Sequence, residues 1–125
     1  MTESEKRALI DRYIAAYNAF DVAGMMATVH PAVEFENVSD GVVDAGEVGA
    51  FRAMAESATA LFASRRQTVT AFDPSGAGAS VEVDYEGALA ADLPNGMAAG
   101  DTLRLAGRSE FEFADGRIVR IRDLS

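Results

Sequence analysis

The chain has 125 residues, of which 49% are hydrophobic and 25% charged, a size and composition typical of one globular domain. Its formal net charge of -9 disfavours nucleic acid and anionic membranes as partners, because both are themselves negatively charged. Cysteine is absent, which excludes a disulfide scaffold, a thiolate metal site and a cysteine nucleophile.

The first part of the chain predicts two helices. Thr2 and Glu5 have the spacing of a capping box, and apolar residues then recur at helical spacing to about Phe20. Asp21 is placed to cap a second, short helix, which Pro31 should end because proline cannot continue a helix.

A strand and a third helix follow. In "VEFENV" the apolar residues Val33 and Phe35 share one face, and the next residue on that face is the amide Asn37. The segment "SDGVVDAG" is turn-rich and can hold a short second strand around Val42 and Val43. The alanine-rich segment "EVGAFRAMAESATALFA" predicts the third helix.

From Arg66 onward the hydrophobic period changes to two, which predicts a long antiparallel meander. A two-residue turn at Asn95-Gly96 would set Glu82 beside the apolar row, because opposed residues share a face. One extra residue instead aligns Tyr85 with Leu105 and Val81 with Ser109. A β-bulge is therefore predicted, with Gly87 or Gly100 as candidates.

The order of elements predicts one α+β domain over residues 1–125, with helices packed on one face of a curved, mainly antiparallel sheet. The N-terminus is polar and no apolar run approaches the ~20 residues of a membrane span, so a cytoplasmic protein is the default expectation. The single histidine, His30, excludes a histidine-rich metal site, and no metal or cofactor is expected.

Three segments resemble the nuclear transport factor 2-like superfamily, in particular its SnoaL-like and ketosteroid isomerase-like branches: "RYIAAYNAFDVAGMMA", "HPAVEFENV" and "EFEFADGRIVRIRDL". The resemblance implies a cone-shaped roll with a strongly curved mixed sheet, and a pocket between the sheet and the helices. It also implies a homodimer formed through the outer face of the sheet. It does not select an activity, because the superfamily includes isomerases, cyclases, dehydratases, epoxide hydrolases and pure binding modules.

The same resemblance suggests roles for three residues. Tyr13 looks like the oxyanion-binding tyrosine of ketosteroid isomerases, Asn37 falls at the position of their aspartate base, and Ser109 at that of their late-strand acid. An amide cannot take a proton at neutral pH, so Asn37 is excluded as a base, although it can hydrogen-bond a bound oxygen. The alternative for Asn37 is a structural amide that ties the strand to the following turn.

Asp123 is the most informative acid. It is next on the face predicted for Val119 and Ile121, where lost hydration should raise the pKa of a carboxyl group. The resemblance to SnoaL-like cyclases implies an acid/base role for a last-strand aspartate near this position. The alternative is a solvated residue at the end of a strand.

Further inward residues are expected to line a pocket that suits a small, flat, apolar molecule. They are Tyr17, Phe35, Phe51, Met54, Ser109 and Phe111. The acidic residues on the opposite parity, such as Glu86 and Glu110, are expected to form an outer acidic face that pairs with Arg104 and Arg108.

Two main functions remain open at this point. The first is a cofactor-independent isomerase, cyclase or lyase acting on a small apolar carbonyl compound, in which Asp123 moves the proton and Tyr13 with Asn37 holds the oxyanion. The second is a non-catalytic carrier or sensor, favoured by the missing base at Asn37 and the missing acid at Ser109. A dimeric interaction module with a filled pocket is a third reading.

Overall fold

The computed structural model describes residues 1–39 and 41–125, so Asp40 in the predicted turn lies outside the described residues. Within this range the chain forms three helices and six strands. In chain order they are α1 (Glu3–Asn18), α2 (Val22–Thr28), β1 (Val29–Ser39), β2 (Val42–Gly46), α3 (Val48–Leu61), β3 (Phe62–Asp73), β4 (Ala79–Leu89), β5 (Thr102–Ala114) and β6 (Arg117–Leu124).

The six strands form one sheet in the order β2-β1-β6-β5-β4-β3. β1 and β6 run parallel, and the other neighbours run antiparallel. α1 packs against β3, and α3 against β1 and β3. The predicted α+β roll, with three helices on a mixed and mainly antiparallel sheet, is therefore confirmed.

α1 begins with the predicted capping box, in which Glu5 N donates to Thr2 Oγ1 at 3.1 Å and Thr2 N donates to Glu5 Oε1 at 3.0 Å. The helix ends at Asn18, two residues before the predicted end. The Asn18 side chain pairs with the backbone of Gln67 in β3, through bonds of 2.8 and 3.1 Å. Phe20 follows in the left-handed region, with φ of 58°.

α2 is capped as predicted, because Asp21 Oδ1 accepts a hydrogen bond from Gly24 N at 2.9 Å. The prediction that Pro31 ends this helix was wrong, since the helix stops at Thr28 and Pro31 lies within β1. Pairing of β1 with β6 is irregular between Val29 and Glu34, and such an irregularity accommodates a residue without an N–H.

The register of β4 and β5 is the one predicted, with Tyr85 opposite Leu105 and Val81 opposite Ser109. The predicted bulge is not found in this strand pair, because the extra residue is absorbed in the loop 90–101. Gly87 has another role: an added Cβ atom would lie 2.9 Å from the Phe62 ring. A glycine there lets the ring approach the sheet closely.

A bulge occurs instead in β6, where the partners shift from Glu112–Arg120 to Phe113–Ile118. The extra residue, Val119, reverses the parity, so Ile118 is the fully buried residue in place of Val119. Ile121 is 1% exposed, and Asp123, two residues later, lies on the same face of the strand as Ile121.

Lys6, the only lysine in the chain, connects α1 to a loop of the sheet. Its side chain is 6% exposed, and Nζ donates to the carbonyl oxygens of Pro74, Gly76 and Gly78 at 2.9–3.0 Å. The three ammonium donors are thereby all used. They fasten α1 to the loop that joins β3 and β4.

The outer face of the sheet carries ion pairs, both between strands and along one strand, rather than an acidic patch alone. Arg104 lies 3.2 Å from Glu86, and Arg108 lies 3.7 Å from Glu110, the pairing predicted for these two arginines. Exposed pairs of this kind contribute little stability each. No helix in the described part of the chain is both long and apolar enough to span a membrane.

Candidate functional site

A row of polar residues crosses the neighbouring strands β1, β6 and β5. Asn37 of β1 is in register with Asp123 of β6, and Asp123 is in register with Ser109 of β5. Ser109 in turn lies opposite the buried Val81. Because opposed residues share a face, all three side chains belong to the helix-covered side of the sheet.

Ser109 and Asp123 form a short, direct hydrogen bond. Ser109 is 6% exposed, and its Oγ donates to Asp123 Oδ1 at 2.6 Å. This length is typical of a hydroxyl bound to a charged carboxylate. Within residues 1–39 and 41–125, no hydrogen bond reaches Asp123 Oδ2, so this oxygen is available to a ligand.

The pKa of Asp123 is raised above the ordinary aspartate value. Burial is the main cause, because the low-dielectric surroundings disfavour the charged carboxylate. The hydrogen bond from Ser109 acts in the opposite direction and lowers the pKa. The effect of burial is the larger of the two, so the net shift of the pKa is upward.

Asp123 lines a pocket of about 240 Å³. The lining consists of Tyr17, Asn37, Phe62, Gln67, Val83, Tyr85, Leu103, Leu105, Gly107, Arg108, Ser109, Asp123, Leu124 and Ser125. For scale, an engineered apolar cavity of ~150 Å³ holds benzene. The space therefore suits a molecule of roughly two fused rings.

Gly107 helps to keep this space open. It is two residues from both Ser109 and Leu105 along β5, on the parity that faces the pocket. An added Cβ atom would lie 2.9 Å from the carbonyl oxygen of Leu124. A side chain at this position would therefore crowd the end of β6.

The opposite side of the pocket carries a pair of phenols. The hydroxyl of Tyr17 in α1 donates to the hydroxyl of Tyr85 in β4 at 3.1 Å, and the two rings meet edge to face. Burial raises the pKa of Tyr85 far above the ordinary tyrosine value, and the hydrogen bond that it shares with Tyr17 raises it further. Tyr85 is therefore a neutral hydroxyl at physiological pH.

Behind this pair lies the buried guanidinium of Arg65, which is 5% exposed. Its Cζ is 3.8 Å from the centre of the Tyr17 ring and 4.5 Å from that of Phe20. Nε donates to the carbonyl oxygen of Tyr17 at 2.9 Å. Nη1 and Nη2 are buried and have no partner in the described part of the chain.

The structure does not place Tyr13 in the pocket lining. Tyr13 is 7% exposed, and its ring lies 6.4 Å from that of Phe51 and 6.2 Å from that of Phe111. Burial raises its pKa well above the ordinary value, and the charge of nearby Asp123 raises it further. Tyr13 is thus a core residue next to the site.

The other residues proposed from the sequence divide between the pocket and the core. Tyr17 and Ser109 line the pocket, whereas Phe35, Phe51 and Phe111 belong to the buried core, with Met54 packed against it. Asn37 lines the pocket but is exposed, so it lies at the rim beside Asp123.

The sequence leaves two residues of this region without an assigned role. The alternation of β4 places Tyr85 on the inner face, yet no pattern pairs it with Tyr17. Arg65 precedes the strand predicted from Arg66 onward, whereas β3 begins at Phe62 and has an irregular register between Phe62 and Ser64. In the residues that the structure describes, no cluster of three or more histidine and acidic side chains could hold a metal ion.

Comparison with known proteins agrees with this architecture. AclR, a candidate hydroxylase from Streptomyces galilaeus, superposes with a TM-score of 0.83 at 15% identity, over 98% of this chain and 90% of that one. A candidate polyketide cyclase from Xanthomonas campestris pv. campestris has a TM-score of 0.75 at 25% identity, over 96% and 89%. A candidate SnoaL-like polyketide cyclase from Jannaschia sp. CCS1 has a TM-score of 0.82 at 16% identity, over 98% and 85%.

No curated protein sequence shows significant similarity to the chain. The sequence profile of the SnoaL-like domain, however, matches residues 10–121, which is most of the chain. Together with the fold, this match shows that the chain belongs to the SnoaL-like domain family, within the nuclear transport factor 2-like superfamily.

Proposed function

We propose that the protein is a cofactor-independent enzyme that transfers a proton on a small, mainly apolar carbonyl compound, as an isomerase, cyclase or lyase does. The observation that carries the proposal is the Ser109–Asp123 pair: a carboxyl group with a raised pKa, one oxygen held by a serine, and the other open to a pocket with apolar walls. This is the arrangement expected of a general base beside a binding pocket.

In the proposed reaction Asp123 Oδ2 takes the proton from a carbon next to the substrate carbonyl. The electrons of the C–H bond move into the new C=C bond, and the carbonyl becomes an enolate oxygen. Asn37, one strand away, is proposed to donate its side-chain N–H to that oxygen. The protonated Asp123 then returns the proton to the same carbon or to another atom of the intermediate.

The proposal gives Tyr13 no contact with the substrate. Its charge coupling to Asp123 puts it close to the reacting carboxyl group, and it packs against Phe51 and Phe111. Tyr13 is therefore proposed to support the wall behind Asp123, while Asn37 alone holds the oxyanion. Proteins of this fold named as candidate polyketide cyclases support the choice of carbonyl chemistry.

The test uses 2-tetralone, a fused bicyclic ketone with acidic protons next to its carbonyl. The wild-type protein is expected to accelerate exchange of these protons for solvent deuterium, measured by NMR, and the rate should rise as pH increases through the pKa of Asp123. In Ser109→Ala the hydrogen bond that lowers this pKa is lost, so the rise should move to higher pH.

Two outcomes would count against the enzyme. A wild-type exchange rate equal to that of buffer, with 2-tetralone bound, would favour the carrier or sensor instead. Acceleration with the same pH dependence in wild type and Ser109→Ala would point to a base other than Asp123.

We also propose that the protein forms a homodimer through the outer face of the sheet. This face carries acidic and basic side chains together, including the Arg104–Glu86 and Arg108–Glu110 pairs, so two copies can pair opposite charges. Light scattering coupled to size-exclusion chromatography should give about twice the monomer mass. A single species at the monomer mass at high protein concentration would exclude the dimer.

A further inference from the structure

The phenol side of the pocket has one hydrogen-bond donor more than it uses. Tyr17 and Tyr85 contribute two O–H groups and share one hydrogen bond. No other hydrogen bond to either hydroxyl occurs among the described residues. Whichever tyrosine donates to the other, one O–H remains without a partner, and both residues line the pocket.

The electrostatic surroundings favour an oxygen acceptor at this place. Arg65 lies against the Tyr17 ring at 3.8 Å and forms no ion pair with a described carboxylate, so its charge is not neutralised locally. Its own terminal nitrogens are enclosed by protein. Arg65 therefore acts through Tyr17: it holds the backbone and ring of that residue and makes the surroundings of the hydroxyl pair more positive.

The two polar ends of the pocket are well separated. Tyr85 faces Leu105 and Asp123 faces Ser109, and these two β5 residues lie four positions apart. At ~3.4 Å per residue, their backbones are about 13 Å apart. Side chains cover part of this distance, and Val83 and Gly107 lie between the two ends without a polar side chain.

We propose that the Tyr17–Tyr85 pair is a second binding site within the pocket, which holds an oxygen of the substrate remote from the reacting carbon. The substrate class that fits is a compound of about two fused rings with an oxygen function at each end: a ketone toward Asp123, and a hydroxyl or carbonyl oxygen toward Tyr85. Arg65 is the positioning residue of this site. This inference rests on the proposed function only for the assignment of the Asp123 end.

The test compares 2-tetralone with 6-hydroxy-2-tetralone, which adds one hydroxyl on the ring remote from the ketone. The wild-type protein is expected to bind the hydroxylated compound about 5–10-fold more tightly, the value of one well-formed hydrogen bond. In the double variant Tyr17→Phe/Tyr85→Phe, which removes both hydroxyls, the ratio of the two affinities should fall close to one. In Asp123→Asn the ratio should persist, because the remote hydroxyl lies at the other end.

A preference that survives Tyr17→Phe/Tyr85→Phe and disappears in Asp123→Asn would overturn the proposal, because the added hydroxyl would then be held at the carboxyl end. So would equal affinities for the two compounds in the wild type. If the tyrosine pair only fastened α1 to β4, Tyr17→Phe/Tyr85→Phe would lower stability and leave the affinity ratio unchanged.

A second measurement needs no variant. The chain has three tyrosines and no tryptophan, so protein labelled with 13C at tyrosine Cζ gives three signals. Addition of 6-hydroxy-2-tetralone should move the Tyr17 and Tyr85 signals more than 2-tetralone does, and an equal or absent shift would contradict the site. If the protein does not catalyse deuterium exchange on 2-tetralone, the shift of the Tyr17 and Tyr85 signals is still expected. The two proposals can therefore fail independently.

Discussion

Asp123→Asn is expected to lose deuterium exchange on 2-tetralone by about 10²- to 10⁴-fold, the usual contribution of a positioned general base. The asparagine keeps the shape of the carboxyl group, and its oxygen can still accept the hydrogen bond from Ser109. It cannot take a proton at neutral pH. The loss should therefore come from chemistry, with the affinity for 2-tetralone largely kept.

The same variant is expected to be more stable than the wild type at neutral pH. Burial raises the pKa of Asp123 in the folded state above its unfolded value of ~3.9, so folding disfavours the carboxylate. The resulting stability is fully present below the unfolded pKa and is lost as pH rises through the folded pKa. Asn carries no charge at any pH, so the Tm of Asp123→Asn minus that of the wild type should increase with pH.

Asp84→Asn is the matched control, because it makes the same chemical change on the exposed outer face of β4. It should keep the wild-type exchange rate and show no comparable pH-dependent gain in Tm. A lower Tm for Asp123→Asn than for the wild type across pH 5–9 would mean that the fold relies on the carboxylate. Asp123 would then be a structural residue.

The largest expected effect on stability is that of Lys6→Met. The substitution keeps an apolar stem but removes all three hydrogen bonds to the carbonyl oxygens of Pro74, Gly76 and Gly78. Bonds to a charged donor contribute ~1.5–3 kcal/mol each and do not add fully, so we expect a loss of about 3 kcal/mol in the free energy of unfolding. For a chain of this size the Tm should fall by about 10 °C.

Arg7→Met is the control, since it removes the neighbouring cation, whose guanidinium is exposed, pairs with Asp11 one turn away and lies 5.2 Å from the centre of the Phe72 ring. Its effect should stay within about 1 kcal/mol, because an exposed ion pair and an exposed cation–π contact each contribute little. Thermal unfolding measures the Tm of both variants. Equal Tm values for Lys6→Met and Arg7→Met would contradict the assigned role of Lys6. Amide hydrogen exchange should also speed up in residues 75–78 of Lys6→Met.

The polar row of the site follows from short-range regularities of the amino-acid sequence. Alternation places Asn37 and Asp123 on the inner face of their strands, and the hairpin register required to keep Glu82 off the apolar row places Ser109 there too. Both regularities depend on local backbone geometry and on the burial of apolar side chains. For that reason the sequence alone predicts which face of the sheet carries these three residues.

The positions of bulges and the packing partners of aromatic residues are not predicted by hydrophobic alternation. The bulge at Val119 reverses the parity of β6 with no glycine to mark it, so alternation alone does not predict Ile118 as a core residue. Whether an inward tyrosine reaches the pocket or the core depends on its distant neighbours: Tyr13 meets Phe51 and Phe111, whereas Tyr17 meets Tyr85. No local pattern encodes these partners.

The role of Asp123 as the base is tested by an NMR titration of its side-chain 13Cγ, assigned by its absence in Asp123→Asn and compared with the pH dependence of deuterium exchange. A midpoint above the ordinary aspartate value of ~3.9 is expected, coincident with the rise in exchange rate and moved upward together with it in Ser109→Ala. An Asp123 signal that titrates at or below that value, or an exchange rate that rises where Asp123 does not titrate, would contradict this role.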